Sequence, residues 1–172
     1  MNTNEYIEDF VLIPKERIGV LIGKKGSTKK KIEEMFGVKI NVNEEGEVTV
    51  LRRGDSLEGL KAVDVVRAIG RGFSPEKAFR LKEDNVILDI IPLREFVNTP
   101  KQMRRIKSRV IGEKGKVREN LELMTGANIS VYGKTISLIG TYDEISLAKD
   151  AIFDIIDGKP INMVYKNISM RK

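Results

Sequence analysis

The chain has 172 residues, 41% of them hydrophobic and 33% charged, with a net charge of +6. That content fits one or two folded domains, and the basic balance suits an anionic partner without naming it. The absence of Cys and His excludes disulfides, thiolate zinc sites, Cys nucleophiles and His-based catalysis, and no apolar run approaches the ~18 residues of a membrane span.

No secretory signal is visible in the polar start, and the absence of Cys leads to the expectation of a cytoplasmic location. Many Lys and Glu residues with a single Gln fit a heat-adapted source. Residues 1–8 read as a polar, mobile lead. Asp9 to Pro14 reads as a strand ended by proline, and Ile18, Leu21 and Ile22 have the spacing of a short helix. Then comes Gly23-Lys24-Lys25-Gly26, followed by a helix with Ile32, Met35 and Phe36 on one face and Gly37 as a left-handed cap. Val38 to Val42 alternates apolar and polar, Asn43 to Gly46 turns, and Glu47 to Leu51 returns as a hairpin. Asp55 with Glu58 reads as a capping box for the next helix, whose apolar face is Leu57, Leu60, Val63, Val65, Val66 and Ile69.

Ser74-Pro75 starts a short connecting helix over Glu76 to Lys82, with Ser as N-cap and Pro at the first helical position. Asn85 to Pro92 repeats the first strand, and between Lys101 and Arg118 eight basic residues meet one acid, Glu113. A second hairpin turns at Gly133-Lys134. Thr141 and Glu144 form another capping box, and the last long helix puts Ile145, Ala148, Ile152, Ile155 and Ile156 on its core face. Residues 161–172 read as a basic tail.

The order strand, helix, Gly loop, helix, hairpin, helix thus occurs twice. Gly23 and Gly112 lie 89 positions apart, as do Gly37 and Gly126, and Ile22–Val42 aligns with Ile111–Val131 without a gap. An ungapped internal match of that kind is a duplication. The domains are expected at 1–75 and 85–172, joined by a helical connector at 76–84.

A Gly-x-x-Gly loop at a helix start lets a nucleic-acid backbone approach closely, and the helix N-terminus offers N–H donors to phosphates. Lys24, Lys25, Lys29 and Lys30 in one copy, and Lys114, Lys116 and Arg118 in the other, add salt-dependent attraction. Beside each loop, Ile40 and Val42, or Ile129 and Val131, are expected to wall a groove for unstacked bases, which is single-strand recognition. Glycines often mark ordinary turns. Here an apolar residue precedes each loop, and a glycine ends each following helix at the same spacing.

Arg109-Val110-Ile111-Gly112-Glu113-Lys114-Gly115 with Met124 to Ile129, and Val20 to Gly26 with Gly37 to Ile40, resemble the core signature of KH domains. The resemblance implies an α+β fold of two tandem type I KH domains, each β-α-α-β-β-α. It also implies RNA contact by Ile22, Gly23, Lys24, Lys25, Gly26, Lys29, Lys30 and Ile40, and by Arg109, Ile111, Gly112, Glu113, Lys114, Gly115, Lys116, Arg118 and Ile129. Val63 to Ala78, and Asp157 to Pro160 with Val164-Tyr165, resemble the archaeal pre-ribosomal KH proteins, which are similar to the eukaryotic partner-of-NOB-one (Dim-two) assembly factors. That resemblance implies binding near the 3′ end of small-subunit ribosomal RNA, beside the endonuclease that trims it, among ribosome-assembly or translation factors. In the eukaryotic members the first unit has lost its Gly-x-x-Gly loop; this chain keeps Gly23 and Gly26. No cofactor, metal or membrane partner is expected.

Two other classes compete. A metal-dependent nuclease would need clustered acids, with Asp89, Glu95, Glu33 and Glu34 available by type, but the grooves are lysine-rich. A protein-interaction scaffold would use the apolar helix faces at 57–69 and 145–156, which read first as core. Ile69-Gly70-Arg71-Gly72 follows a helix and is not a dinucleotide loop.

Overall fold

The computed structural model describes residues 5–172 and divides into two compact units, the first ending at Asp84 and the second beginning at Asn85. Each unit contains one three-stranded antiparallel sheet.

The first unit runs β1 (Tyr6–Leu12), α1 (Ile18–Ile22), α2 (Ser27–Phe36), β2 (Lys39–Val42), β3 (Glu47–Arg53), α3 (Leu57–Gly70) and α4 (Pro75–Ala78). Its strand order is β1-β3-β2, so β2 is an open edge. Strand β3 shows why the sheet forms. Val48 and Val50 are buried while the alternating Glu47, Thr49 and Leu51 are not, the period-two pattern of a strand with one covered face. Ile40 pairs across to Val50, and both are fully buried with Leu21, Ile32, Val66 and Ile69. Strand β1 starts earlier than expected, at Tyr6; residues 1–4 of the polar lead lie outside the described residues.

Two expectations for α3 are corrected. Its N-cap is Ser56, whose Oγ accepts from the Gly59 N–H at 2.9 Å, not Asp55. Glu58 instead receives Lys61 at 3.1 Å. Leu57 and Leu60 are exposed, because they share a helical stripe with Asp64 and Arg67; the buried stripe is Ala62, Val63, Val65, Val66 and Ile69. After α3, Ser74 caps α4 with Pro75 at the first position, and a 3-10 turn follows at Phe79–Lys82. Ala78 and Leu81 are buried, Lys82 Nζ donates to the Met35 carbonyl at 3.0 Å, and Lys61 Nζ donates to the Lys82 carbonyl at 2.8 Å. This segment packs on the helices before it.

The second unit runs β4 (Val86–Pro92), α5 (Pro100–Ile111), α6 (Lys116–Thr125), β5 (Asn128–Tyr132), β6 (Thr135–Thr141), α7 (Tyr142–Ile156) and α8 (Ile161–Arg171), with strand order β4-β6-β5. Helix α5 has 12 residues where α1 has 5. Thr99 caps it and Pro100 opens it, while Ile106 and Val110, four apart, anchor it in the core. The capping box of Thr141 and Glu144 is formed, and Ile145, Ala148, Ile152 and Ile155 are buried; Ile156 is only half-buried.

The expected basic tail is corrected to a packed helix. Val164 and Ile168, also four apart, are buried against the second core. Asn120 donates to the Tyr165 hydroxyl at 3.2 Å, and Asn167 donates to Asp154 at 3.1 Å. Burial acts to raise the Asp154 carboxyl, but hydrogen bonds from Lys159 and Asn167 outweigh it and hold the group below its ordinary range.

Candidate nucleic-acid interface

The two Gly-x-x-Gly loops have nearly the same backbone. Gly23 and Gly112 both have φ 74° and ψ 175°. Lys25 and Lys114 both have φ 55°, and Gly26 and Gly115 have φ 76° and 75°. Left-handed backbone costs a lysine about 1–2 kcal/mol. Both copies accept that strain at the same place, which is a pattern of functional sites more than of ordinary turns. The loop's two glycines have different tasks. A Cβ on Gly23 would stand 2.7 Å from Thr28 Cβ and 2.8 Å from its backbone nitrogen, and one on Gly112 would meet Val117 at the same distances. The first glycine therefore lets the chain pass tightly under its own helix. A Cβ on Gly26 would meet nothing within 4 Å, so that face is open.

These tasks separate in an experiment. Gly26→Ala is expected to cost about 1 kcal/mol of stability from left-handed strain alone, yet to weaken RNA binding by placing a methyl on the open face. Gly23→Ala should cost clearly more stability, because backbone must move. Urea unfolding with RNA titration of both variants checks this; equal stability losses would contradict the division.

Helices α2 and α6 open directly from the loops, and no side chain caps either, whereas Ser56, Thr99 and Thr141 cap α3, α5 and α7. A helix start ordinarily gains from acidic residues. Helix α2 has none in its first turn and carries Lys29, Lys30 and Lys31, which disfavours the isolated helix and favours a bound anion; α6 opens on Lys116 and holds Glu119 in its first turn. Lys24, Lys25, Lys30, Glu113, Lys114 and Lys116 are all exposed, and Ile22 and Ile111 are half-buried beside the loops.

Other expected site residues are committed elsewhere. Ile40 and Ile129 are buried in the cores, 0% and 2% exposed, and offer no side-chain wall; Val42 and Val131 are half-buried. The inward turn of a sheet with one covered face takes those two isoleucines. Arg109 is spent on the fold: its guanidinium donates to the Ile155 carbonyl at 2.6 Å and to the Lys159 carbonyl, closing the end of α7. Arg17 does the same in the first unit, donating to Ile69 at 2.7 Å and Phe73 at 2.8 Å. Lys29 lies 3.5 Å from Glu33, and Arg118 2.8 Å from Glu122, each pair one helical turn apart.

What the sequence reading missed is the role of those two acids. Glu33 Oε2 accepts the Ile40 N–H and Glu122 Oε2 accepts the Ile129 N–H, each at 2.9 Å. Each carboxylate thus reaches from its helix to the open edge of the sheet. The signal was present in the duplication, since Glu33 and Glu122 are also 89 positions apart. Among the described residues, no group of three or more acids is placed to hold a metal ion. Asp89 pairs with Lys149 at 3.0 Å.

The KH-domain family matches residues 8–68, and the eukaryotic-type KH domain (type I) matches residues 87–172. A KH domain-containing protein of Methanocaldococcus jannaschii is 43% identical over 161 residues, which cover 92% of this chain and 71% of that protein. The RNA-binding protein pno1 of Dictyostelium discoideum is 33% identical over 110 residues, covering 63% of this chain and 46% of that protein. A crystal structure of the a/eIF2alpha–aDim2p–rRNA complex from Pyrococcus horikoshii contains a chain with 45% identity and a TM-score of 0.90; the match covers 96% of this chain and 94% of that one.

Proposed function

Because the chain belongs to the KH-domain family, with two KH domains in tandem, we propose that it holds single-stranded RNA in two grooves, each between a Gly-x-x-Gly loop with its following helix and the edge strand. The observation that carries this reading is the repeated loop: the same strained torsions, an uncapped helix start and exposed lysines in both copies. Phosphates would lie on the loop and helix start, and unstacked bases would reach the edge of β2 or β5. The RNA we propose is small-subunit ribosomal RNA near its 3′ end, during ribosome assembly. That rests on the similarity to aDim2p, which was crystallised with rRNA, and on the resemblance of the linker and C-terminal segments. An rRNA-trimming endonuclease as neighbour belongs to the same proposal. The work is binding, with no chemical step.

The test is competition under varied salt. Affinity should fall with a log–log slope of about −0.7 per phosphate neutralised on a single strand, and single-stranded RNA should outcompete duplex of equal length. Equal competition by duplex would reduce the interface to general basic attraction.

One observation favours an additional protein partner. On β1, Tyr6, Phe10 and Leu12 share one face with the exposed Glu8 and are 64%, 73% and 75% exposed. Such a row of large apolar groups on an open edge strand is a contact surface more often than chance decoration. The aDim2p structure also contains a/eIF2alpha, so a translation factor is the partner class we propose for this face.

A further inference from the structure

The second Gly loop is delivered by a longer arm than the first. Leu12, the last residue of β1, stands 11 positions before Gly23; Pro92, the last of β4, stands 20 before Gly112. The nine added residues make room for the opening turns of α5, where the first unit has only a 3-10 turn at Lys15–Arg17. These turns are firmly held. The Thr99 hydroxyl accepts the Gln102 N–H and the Gln102 side chain accepts the Asn98 N–H, each at 3.1 Å. Met103 and Ile106 pack into the core beneath, and Phe96 meets Phe153 edge-on with ring centres 5.0 Å apart.

The charge on these turns works against the helix itself. A helix start gains from acids, yet the first turn of α5 has none and carries Lys101. Lys101, Arg104, Arg105 and Ser108 follow at helical spacing and are all exposed. Like charges three and four residues apart weaken a helix. Among the described residues no acid pairs with these three cations, whereas Arg109, Arg118, Lys149, Lys159 and Arg171 each engage a carbonyl or a carboxylate. A solvated face would explain exposed cations taken singly. It does not explain an added, braced segment whose outward stripe has one sign and no counter-charge.

The stripe leads into the second groove. Arg104, Lys107 and Ile111 lie one above another on the helix, and the half-buried Ile111 borders the loop. A helix rises ~1.5 Å per residue, so Lys101 lies about 16 Å back from Gly112. At ~3.4 Å per stacked nucleotide, that is the reach of about four or five nucleotides.

We propose that the outward stripe of α5, Lys101, Arg104 and Arg105 with the Ser108 hydroxyl, is a further phosphate-binding site. It holds the part of the single strand that leaves the second groove past Ile111, and it rests on the reading of that groove as an RNA site. Its ligand is the RNA backbone, whatever the sequence, because phosphate contacts position a strand and carry no base information. The second unit then covers about twice the ~4 nucleotides that one loop clamps. The first unit, without the added turns, does not.

The test uses the full chain with the first loop disabled by Lys24→Asp and Lys25→Asp, so that binding reports the second unit. Oligouridines of four and ten nucleotides are bound with and without the further changes Lys101→Gln, Arg104→Gln and Arg105→Gln. Glutamine is a good helix former and the three side chains are exposed, so the urea midpoint should not fall. The triple change should weaken the longer probe about tenfold, the low end for lost hydrogen bonds to charged groups. The shorter probe should lose no more than about twofold, from screened long-range attraction. The number of binding registers on a homopolymer is the same for both proteins and cancels. The log–log salt slope of the longer probe should become shallower by about 2, three phosphates at ~0.7 each, with the shorter probe's slope unchanged. Equal proportional losses for both lengths would overturn the proposal and reduce the stripe to long-range steering. No loss for either would also overturn it and leave the stripe to an acidic protein surface. If the triple variant does not fold, the salt slopes with the stripe intact decide, because equal slopes for the two lengths overturn the proposal. A chain with both loops intact that binds no RNA would remove the underlying reading and this site with it.

Discussion

Replacing Lys24 and Lys25 together by aspartate is expected to lower affinity for single-stranded RNA by about 100-fold, which is ~2.7 kcal/mol. The unfolding midpoint should barely move. The two lysines are exposed and sit where three of four loop torsions are tied down by glycine or left-handed geometry. Hydrogen bonds to charged groups contribute about 1.5–3 kcal/mol each, and two are lost. The new carboxylates also face phosphates across an uncapped helix start, reversing the local charge by four units. Aspartate is a fair substitute for the backbone, because Asp is among the residues that tolerate the left-handed region Lys25 occupies. Fluorescence anisotropy with labelled RNA and a urea melt of the same preparation check both halves. Unchanged affinity in a folded variant would remove the loop from the interface.

How much of this was legible in the sequence depends on whether a residue's task is local. The hairpins were legible because alternation in Val38–Val42 and Glu47–Leu51 is a local consequence of one covered sheet face. The loops were legible because glycine is nearly the only residue that takes φ near 75° without strain. Tasks set by tertiary partners were not. Arg109 sits next to the second loop in sequence, yet its guanidinium reaches 46 residues ahead to the end of α7. Nothing in its neighbours separates it from the cations that face solvent. Helix α8 shows only Val164 and Ile168 as fully buried among Asn, Lys and Arg residues, too thin a stripe to stand out from a tail. Leu57 and Leu60 failed the other way: apolar and periodic, but on the stripe shared with Asp64 and Arg67. Ile40 and Ile129 take the inward positions of that alternation and lie in the cores, and the N–H of each is held by a carboxylate from the preceding helix.

RNA long enough to fill both grooves should bind about 100-fold or more tightly than RNA filling one, because the second contact becomes intramolecular. One loop clamps about four nucleotides, so affinity should rise steeply with length beyond that and then level off. The two loops should not contribute equally. Residues 1–75 carry 13 basic and 12 acidic residues, a net of +1; residues 76–172 carry 18 and 13, a net of +5. Of the eight cations between Lys101 and Arg118, Arg109 and Arg118 are engaged by carbonyls and by Glu122. Lys101, Arg104, Arg105, Lys114 and Lys116 remain exposed along the helix that delivers the second loop, within it and just after it. Their attraction adds to the loop's own and falls off over a Debye length of ~8 Å at physiological salt. Aspartate at Glu113 and Lys114 removes only one positive charge, half the lysines lost from the first loop. It should nevertheless cost more affinity for long RNA, since it cuts the contact that the surrounding cations steer RNA toward. Binding of a length series of oligonucleotides to wild type and to each loop variant measures both effects. A greater loss from the first loop would reverse the ranking. Affinity that does not depend on length would mean that a single groove does the binding.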